Sequence, residues 1–235
     1  MAKRHPLFSI IIPTRDRCAE LGFCLQAISR LQFPAEGVEV IVIDDGGRDL
    51  PASVLERFRG RMDVTLLTQS HGGPGAARNV GAARATGRFL AFTDDDCRPK
   101  SDWLEKLAAQ FARTPSHLIG GKTLNALDDN PYSITSQLIL DLVYAYYNAD
   151  PSRARFFASN NLALPAKLFR EIGGFNTTFR TSEDRELCDR WRHCGFEMTY
   201  APEAIIYHAH ELTGASFLRQ HSTSAMVAAR FASIE

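Results

Sequence analysis

The sequence has no Cys-x-x-Cys pair, no net charge and no long apolar run, and each absence removes a class of protein. Its five cysteines, Cys18, Cys24, Cys97, Cys188 and Cys194, are odd in number. They form neither a disulfide framework nor a zinc-finger spacing, which fits a reducing compartment. Lysine plus arginine equals aspartate plus glutamate at 27 each, so the chain lacks the basic excess of a general nucleic-acid binder. The apolar segment Leu7 to Ile12 is too short for a signal peptide and lacks a small-residue cleavage site. Nothing approaches the ~20 apolar residues that span a bilayer. The expectation is a cytoplasmic chain with no transmembrane segment and no nucleic-acid partner, compatible with peripheral contact at the inner membrane face.

What is present is ordinary globular composition, 45% hydrophobic and 23% charged over 235 residues. That length suits a single α/β domain, read here as residues 1–235. A chain of this size buries roughly 70–75% of its unfolded surface. The first half alternates strand and helix signals. Strands are expected at Phe8–Ile12, Val38–Ile43, Val64–Leu67 and Phe89–Phe92. Helices are expected at Arg17–Leu31, Pro51–Arg59 and Pro74–Ala85, and from a Ser101 cap through Phe111, with Glu105 near the capping-box position. Such alternation implies parallel βαβ units, and continuous apolar strands imply a sheet covered on both faces. The second half is less regular. Helices are expected at Tyr132–Asn148, Pro165–Ile172, Glu183–Cys194 and Thr213 to about Phe231, and strands at Leu162–Leu164 and Ala204–Tyr207.

In doubly wound sheets ligands bind at the carboxyl ends of the strands. That rule puts Pro13-Thr14-Arg15, Asp44-Asp45 and Asp94-Asp95-Asp96 on one rim. Three adjacent carboxylates repel one another, and a hard divalent cation with oxygen ligands offsets that charge; a solvated acidic turn is the ordinary alternative. Asp44-Asp45-Gly46-Gly47 reads as a strand-ending turn or as a carboxylate for a base or ribose. Gly72-Gly73-Pro74-Gly75 lacks the P-loop ending and the dinucleotide spacing, so it reads as a close-packed helix entry. Arg78, one turn in, can reach a diphosphate or a surface carboxylate. Ser182-Glu183-Asp184 opens a helix, where acidic residues also suit capping and the dipole. His208 and His210 end a strand, and a histidine beside a carboxylate site can complete a metal shell.

Taken in order, Ser9 to Arg17, Val40 to Gly46, Ala76-Ala77-Arg78-Asn79-Val80-Gly81, Gly87 to Asp96, Gly173-Gly174-Phe175, Glu183-Asp184 and Tyr200-Ala201-Pro202 form a series. It closely resembles the family 2 glycosyltransferases, over roughly residues 7 to 210. The resemblance implies a GT-A fold: a mainly parallel, Rossmann-like nucleotide-binding sheet flanked by helices. The nucleotide-sugar half would be about 1–125, and a less regular half for the acceptor and the base about 126–235. By position it implies that Pro13, Thr14 and Arg15 line the base pocket, that Asp45 contacts the base, and that Arg78 lies near the nucleotide. It makes Asp94 and Asp96 the DxD carboxylates. Asp96 is then the direct metal ligand, and Asp94 lies nearer ribose or a metal-bound water, with Asp95 between them. Asp184 is the implied catalytic base, with Glu183 as the next candidate, and His208 completes the metal shell in competition with His210. Many members continue past this region with helices over the acceptor side.

The implied reaction is metal-dependent transfer, with Mn²⁺ or Mg²⁺, of a sugar from a nucleotide-diphosphate sugar, UDP-linked by preference. The acceptor hydroxyl would belong to a glycan, a lipid-linked sugar or a small molecule, and polysaccharide biosynthesis is one setting. Family members invert the anomeric carbon. Asn160-Asn161 can offer amides to sugar hydroxyls or serve as strand-end turn residues. Processive synthases of the family carry Gln-x-x-Arg-Trp, which is absent here, so a non-processive enzyme is expected. Two alternatives stay open: a nucleotidyltransferase, which usually has a Gly-rich loop after its first strand, and an inactive sugar-nucleotide binding protein.

Overall fold

A computed structural model describes residues 5–222. Eight strands form one sheet: β1 (Phe8–Thr14), β2 (Val38–Asp45), β3 (Val64–Gln69), β4 (Phe89–Phe92), β5 (Cys97–Pro99), β6 (Leu118–Asn125), β7 (Leu162–Pro165) and β8 (Met198–His208). Their spatial order is β3-β2-β1-β4-β7-β6-β8-β5. The first four are mutually parallel, as the alternation predicts. β7 runs antiparallel to β4 and β6, and β5 antiparallel to β8. The helices are α1 (Cys18–Ile28), α2 (Ala52–Glu56), α3 (Pro74–Arg84), α4 (Trp103–Arg113), α5 (Pro131–Tyr147), α6 (Ala166–Glu171) and α7 (Glu183–His193). Residues 214–222 are also helical; the expected continuation to Phe231 lies outside the described residues. No described helix is long and apolar enough to cross a membrane.

The continuous apolar strands are explained by two cores. Ile10, Ile12, Val40 and Val42 face one cluster with α1 and α4, while Ile11, Ile41 and Ile43 face the other with α3, α6 and α7. α4 buries Trp103, Leu104, Leu107 and Phe111, one helical stripe. α3 is built of small residues because it lies almost on the sheet. A β-carbon at Gly81 would stand 2.6 Å from Ile11 Cγ2 and 2.7 Å from Ile43 Cδ1.

Several boundaries differ from the sequence expectation. β1 continues through Pro13 to Thr14. Ile11 O accepts from Thr93 N on the β4 side, so Pro13, two residues on, turns its missing N–H to that side, beyond the last β4 pair, Ile11 with Phe92. Asp44 and Asp45 belong to β2 instead of a turn after it. α4 starts at Trp103 behind Asp102, with no side-chain cap, so Ser101 is not its cap. The cap signal that does operate is Asn130 before α5, whose side-chain Oδ1 accepts from Tyr132 N and Ser133 N. The sequence reading misses β5 and β6 and shortens β8. β6 carries Gly120-Gly121, a turn signal by composition. Here the glycines admit the Phe157 ring and the Asn161 amide at a bulge between Gly121 and Lys122. Asn161 is fully buried. It donates to Lys122 O and Ala204 O, each at 3.0 Å, and accepts from Trp103 Nε1 at 3.0 Å. That corrects its sugar-binding expectation: Asn161 is a strut of the sheet.

Two glycines in helices should therefore respond oppositely to alanine. Both substitutions gain helix propensity of up to ~1 kcal/mol. In α1, a β-carbon at Gly22 meets only ordinary contacts, Val54 Cγ1 at 3.7 Å and Arg57 Nη1 at 3.8 Å. Gly22→Ala is expected to hold or raise the urea midpoint, and Gly81→Ala to cost about 1–3 kcal/mol through overpacking. Equal midpoint shifts for the two variants would contradict the packing described for α3.

Candidate active site

A cavity of about 620 Å³ opens where β1, β2 and β4 end, and its far wall is formed by α5 and the start of α7. Pro13, Thr14, Arg15, Asp45, Arg78, Asp94, Asp95, Asp96, Glu183, Asp184, His208 and His210 all border it. The fold thus gathers these twelve sequence-named residues into one cleft, while Asp44 and Asn161 do not border it.

The carboxylates of that cleft are held by two arginines. Arg17, at the N-cap of α1, reaches Asp95 Oδ1 at 2.9 Å and Asp96 Oδ2 at 2.7 Å. Arg78, only 3% exposed on α3, donates to Asp94 Oδ1 at 2.6 Å and to Glu183 Oε1 at 2.8 Å. Its Nε finds no partner, and its guanidinium lies 5.5 Å from the Phe175 ring centre. One residue along α3, Asn79 donates to Phe175 O and accepts from Phe175 N, each at 2.8 Å. Gly174 takes a φ of 72° there, which glycine adopts readily. The Arg-Asn pair and the Gly-Gly-Phe segment are therefore two sides of one joint, which brings the start of α7 to the end of β4.

The acidic triplet divides its tasks. Asp96 Oδ1 lies 3.2 Å from His208 Nε2, and Asp96 Oδ2 lies 3.7 Å from His210 Nδ1. Ligand atoms of these three residues all fall within 4.8 Å of one another. Burial acts to raise Asp96, yet His208 and Arg17 hold its carboxyl far below the usual range. Burial acts to lower His208, and the Asp96 hydrogen bond outweighs it and lifts the imidazole. His210 is lowered by burial and then by its neighbour His208. Asp95 accepts from Thr14 Oγ1 at 2.7 Å. Burial, aided by Asp96 and Asp94, pushes it up to about 7 against the pull of Arg17 and Thr14. Asp94 turns to Arg78 and stands apart from the Asp96–His208–His210 group. The sequence reading left the two histidines in competition; the structure brings both to Asp96.

Asp45 is occupied on both oxygens. Oδ1 accepts from Gln69 Nε2 at 2.6 Å and Gly72 N at 2.8 Å, while Oδ2 accepts from Gly73 N at 2.9 Å and lies 2.8 Å from His71 Nδ1. Burial alone would raise its pKa, and these bonds, led by Gly72, lower it. Asp45 thereby shapes the loop that enters α3. His71, half exposed beside it, is a cavity residue that the sequence reading did not single out. Its only signal was a position immediately before the Gly-Gly pair.

Ser182 precedes α7 in the left-handed region, φ 63°, and makes no cap bond, so it departs from the capping expectation. Such a residue costs about 1–3 kcal/mol and marks a constrained turn. Asp184 Oδ1 accepts from Arg185 N at 2.8 Å, and Oδ2 lies 3.4 Å from Ser159 N. Burial first, then the charge of Glu183, pushes Asp184 above the ordinary carboxylate range. Glu183 itself is consumed by Arg78. The cleft therefore holds two carboxylates of raised basicity, Asp95, which is bound by Arg17 and Thr14, and Asp184, which no described side chain binds, together with a carboxylate–imidazole cluster.

Comparison with known proteins bears on the fold and the family. The pre-mycofactocin glycosyltransferase of Mycobacterium tuberculosis is 30% identical over 211 residues, which cover 88% of this chain and 43% of the relative. This chain therefore spans under half of that protein's length. The mannosyltransferase PcManGT from Pyrobaculum calidifontis, solved with GDP-Man and Mn²⁺, superposes with a TM-score of 0.75 at 20% identity, over 95% of this chain and 65% of that one. Residues 1–349 of S. aureus TarS, solved with UDP, give 0.69 at 19% identity, over 87% of this chain and 60% of that one. These likenesses bear out the expected GT-A fold. The family description "Glycosyl transferase family 2" matches residues 9–185, a span running from the first strand through Asp184, and the chain belongs to that family.

Proposed function

We propose that this chain transfers a sugar from a nucleotide-diphosphate sugar, UDP-linked by preference, to a hydroxyl acceptor, one sugar at a time and with inversion at the anomeric carbon. The observation that carries this reading is the pairing within one cleft of Asp184, a carboxylate of raised basicity, with the Asp96–His208–His210 cluster. The presence of UDP in one structural neighbour and of GDP-Man with Mn²⁺ in another supports the donor class.

The cluster fits a divalent cation. One carboxylate oxygen and two imidazole nitrogens converge on a point that borders the cavity. A mixed oxygen and nitrogen set suits Mn²⁺ better than Mg²⁺, which favours oxygen alone. Such an ion, when bound, neutralises charge on the departing nucleoside diphosphate. Asp94, the more exposed end of the Arg78 bridge at 28%, is placed for the ribose or for a water of the metal. Pro13, Thr14 and Arg15 border the base end, where Asp45 holds the Gln69–Gly73 loop and lines the cavity. On the opposite wall Asp184 takes the proton of the acceptor hydroxyl as that oxygen attacks the anomeric carbon. Ser159 N helps to orient the carboxylate. Glu183 is unsuited as base because its charge is committed to Arg78.

Asp184→Asn is expected to keep nucleotide affinity and to lose transfer, by 10²–10⁴-fold in kcat, the range for a general base. Calorimetry and turnover on one preparation check it; a loss under about tenfold would point to another base. Asp184 must be ionised to act, and its pKa is raised. The wild-type rate should therefore climb with pH through a limb that lies above the ordinary carboxylate range, near 4. A pH–rate profile already flat at pH 5 would contradict the role. For Asp45→Ala, the freed loop should raise the donor KM at least about tenfold, as expected when charge-assisted hydrogen bonds are lost. A folded variant with unchanged KM would remove Asp45 from the donor site.

A further inference from the structure

We propose that the acceptor carries an anionic group, a carboxylate or a phosphate, close to its attacking hydroxyl, and that Arg185 binds it; this rests on the sugar-transfer reading above. Among the described residues four arginines border the cavity: Arg15, Arg17, Arg78 and Arg185. Arg17 is spent on Asp95 and Asp96, and Arg78 on Asp94 and Glu183. Arg15 stands with Pro13 and Thr14 at the base end. Arg185 is the cation of the acceptor wall, and no carboxylate among the described residues pairs with its guanidinium.

Its surroundings hold it in place without neutralising it. The guanidinium carbon lies 4.9 Å from the Tyr147 ring centre and 4.8 Å from that of Phe156. Nη1 donates to the Tyr147 hydroxyl at 3.1 Å. Aromatic faces orient a guanidinium and favour its charge, and the phenol occupies one of five N–H donors. The remaining donors form a fork suited to the paired oxygens of a carboxylate or phosphate. Its own backbone N–H donates to Asp184 Oδ1, so the fork sits one residue from the proposed base. The charge of the donor diphosphate would be met on the other wall, by the cation that Asp96, His208 and His210 would hold. An anion at Arg185 therefore belongs to the molecule whose hydroxyl Asp184 activates. The rest of that wall is neutral where α5 supplies Ser136, Gln137, Leu140 and Val143, which leaves Arg185 to read charge.

The test uses the full chain saturated with UDP and Mn²⁺, and two probe pairs that differ only in charge. Methyl β-glucuronide is compared with methyl β-glucoside, and glycerol 1-phosphate with glycerol, by calorimetric or NMR titration. The anionic member of at least one pair should bind about tenfold tighter or better, the order expected for a charge-assisted pair. Which pair responds separates carboxylate from phosphate. Arg185→Met should bring the preference to near unity, and Arg185→Lys, which keeps the charge without the fork, should fall between. Equal binding within both pairs, or an undiminished preference in Arg185→Met, would overturn the proposal. So would a gain confined to UDP-glucuronic acid over UDP-glucose, which would assign the charge to the donor sugar. Failure of UDP itself to bind would instead remove the underlying sugar-transfer reading, and this inference with it.

Discussion

Six carboxylates border one cleft among the described residues, and those of the acidic triplet and the Glu183–Asp184 pair, left to themselves, would repel one another and favour its opening. Arg17 and Arg78 counter that repulsion, each bridging two acids, and the rest of the site depends on how they do it. Arg78 matters most because it links elements that are far apart in the chain: Asp94 after β4 and Glu183 at the start of α7. A buried pair of this kind is weak evidence for net stability, since desolvation offsets much of the attraction. Its consequence here is geometric. With Glu183 and Asp94 tied to one guanidinium and Asp95 and Asp96 to the other, Asp184 is left as the acid at the start of α7 that no arginine bridges.

That arrangement separates two carboxylate environments within one cleft. Asp96 is kept ionised by His208 and Arg17 despite its burial, while burial and Glu183 raise Asp184. The difference suits a permanent anion beside a cation site and a group that takes and releases a proton. The left-handed turn at Ser182 and the Asn79–Phe175 joint hold α7 at the required place. Small residues in α3 let Arg78 approach from the sheet side.

Much of this was legible in the sequence, for identifiable reasons. The βαβ half announces itself through apolar strands and glycine-bounded helices, and its strand ends name the acidic rim. The second half hid its strands because their causes are tertiary. β6 looks like a glycine turn until Phe157 and Asn161 fill the space the missing side chains leave. β5 is three residues held by β8. At the site, the residue types and their order pointed to the cleft, but not to the partners within it. Nothing in sequence spacing says that Arg78 joins Asp94 to Glu183, that Asp45 is saturated by the Gln69–Gly73 loop, or that both histidines meet Asp96.

The reading of the cleft stands or falls on whether Asp96, with His208 and His210, forms a cation-dependent nucleotide site. Calorimetric titration of UDP tests it most directly, on wild type with Mn²⁺, on wild type with EDTA, and on Asp96→Ala with Mn²⁺. Affinity should be strong in the first case and fall at least about tenfold in the other two, the scale of one lost charge-assisted contact. Equal affinity in all three would contradict it.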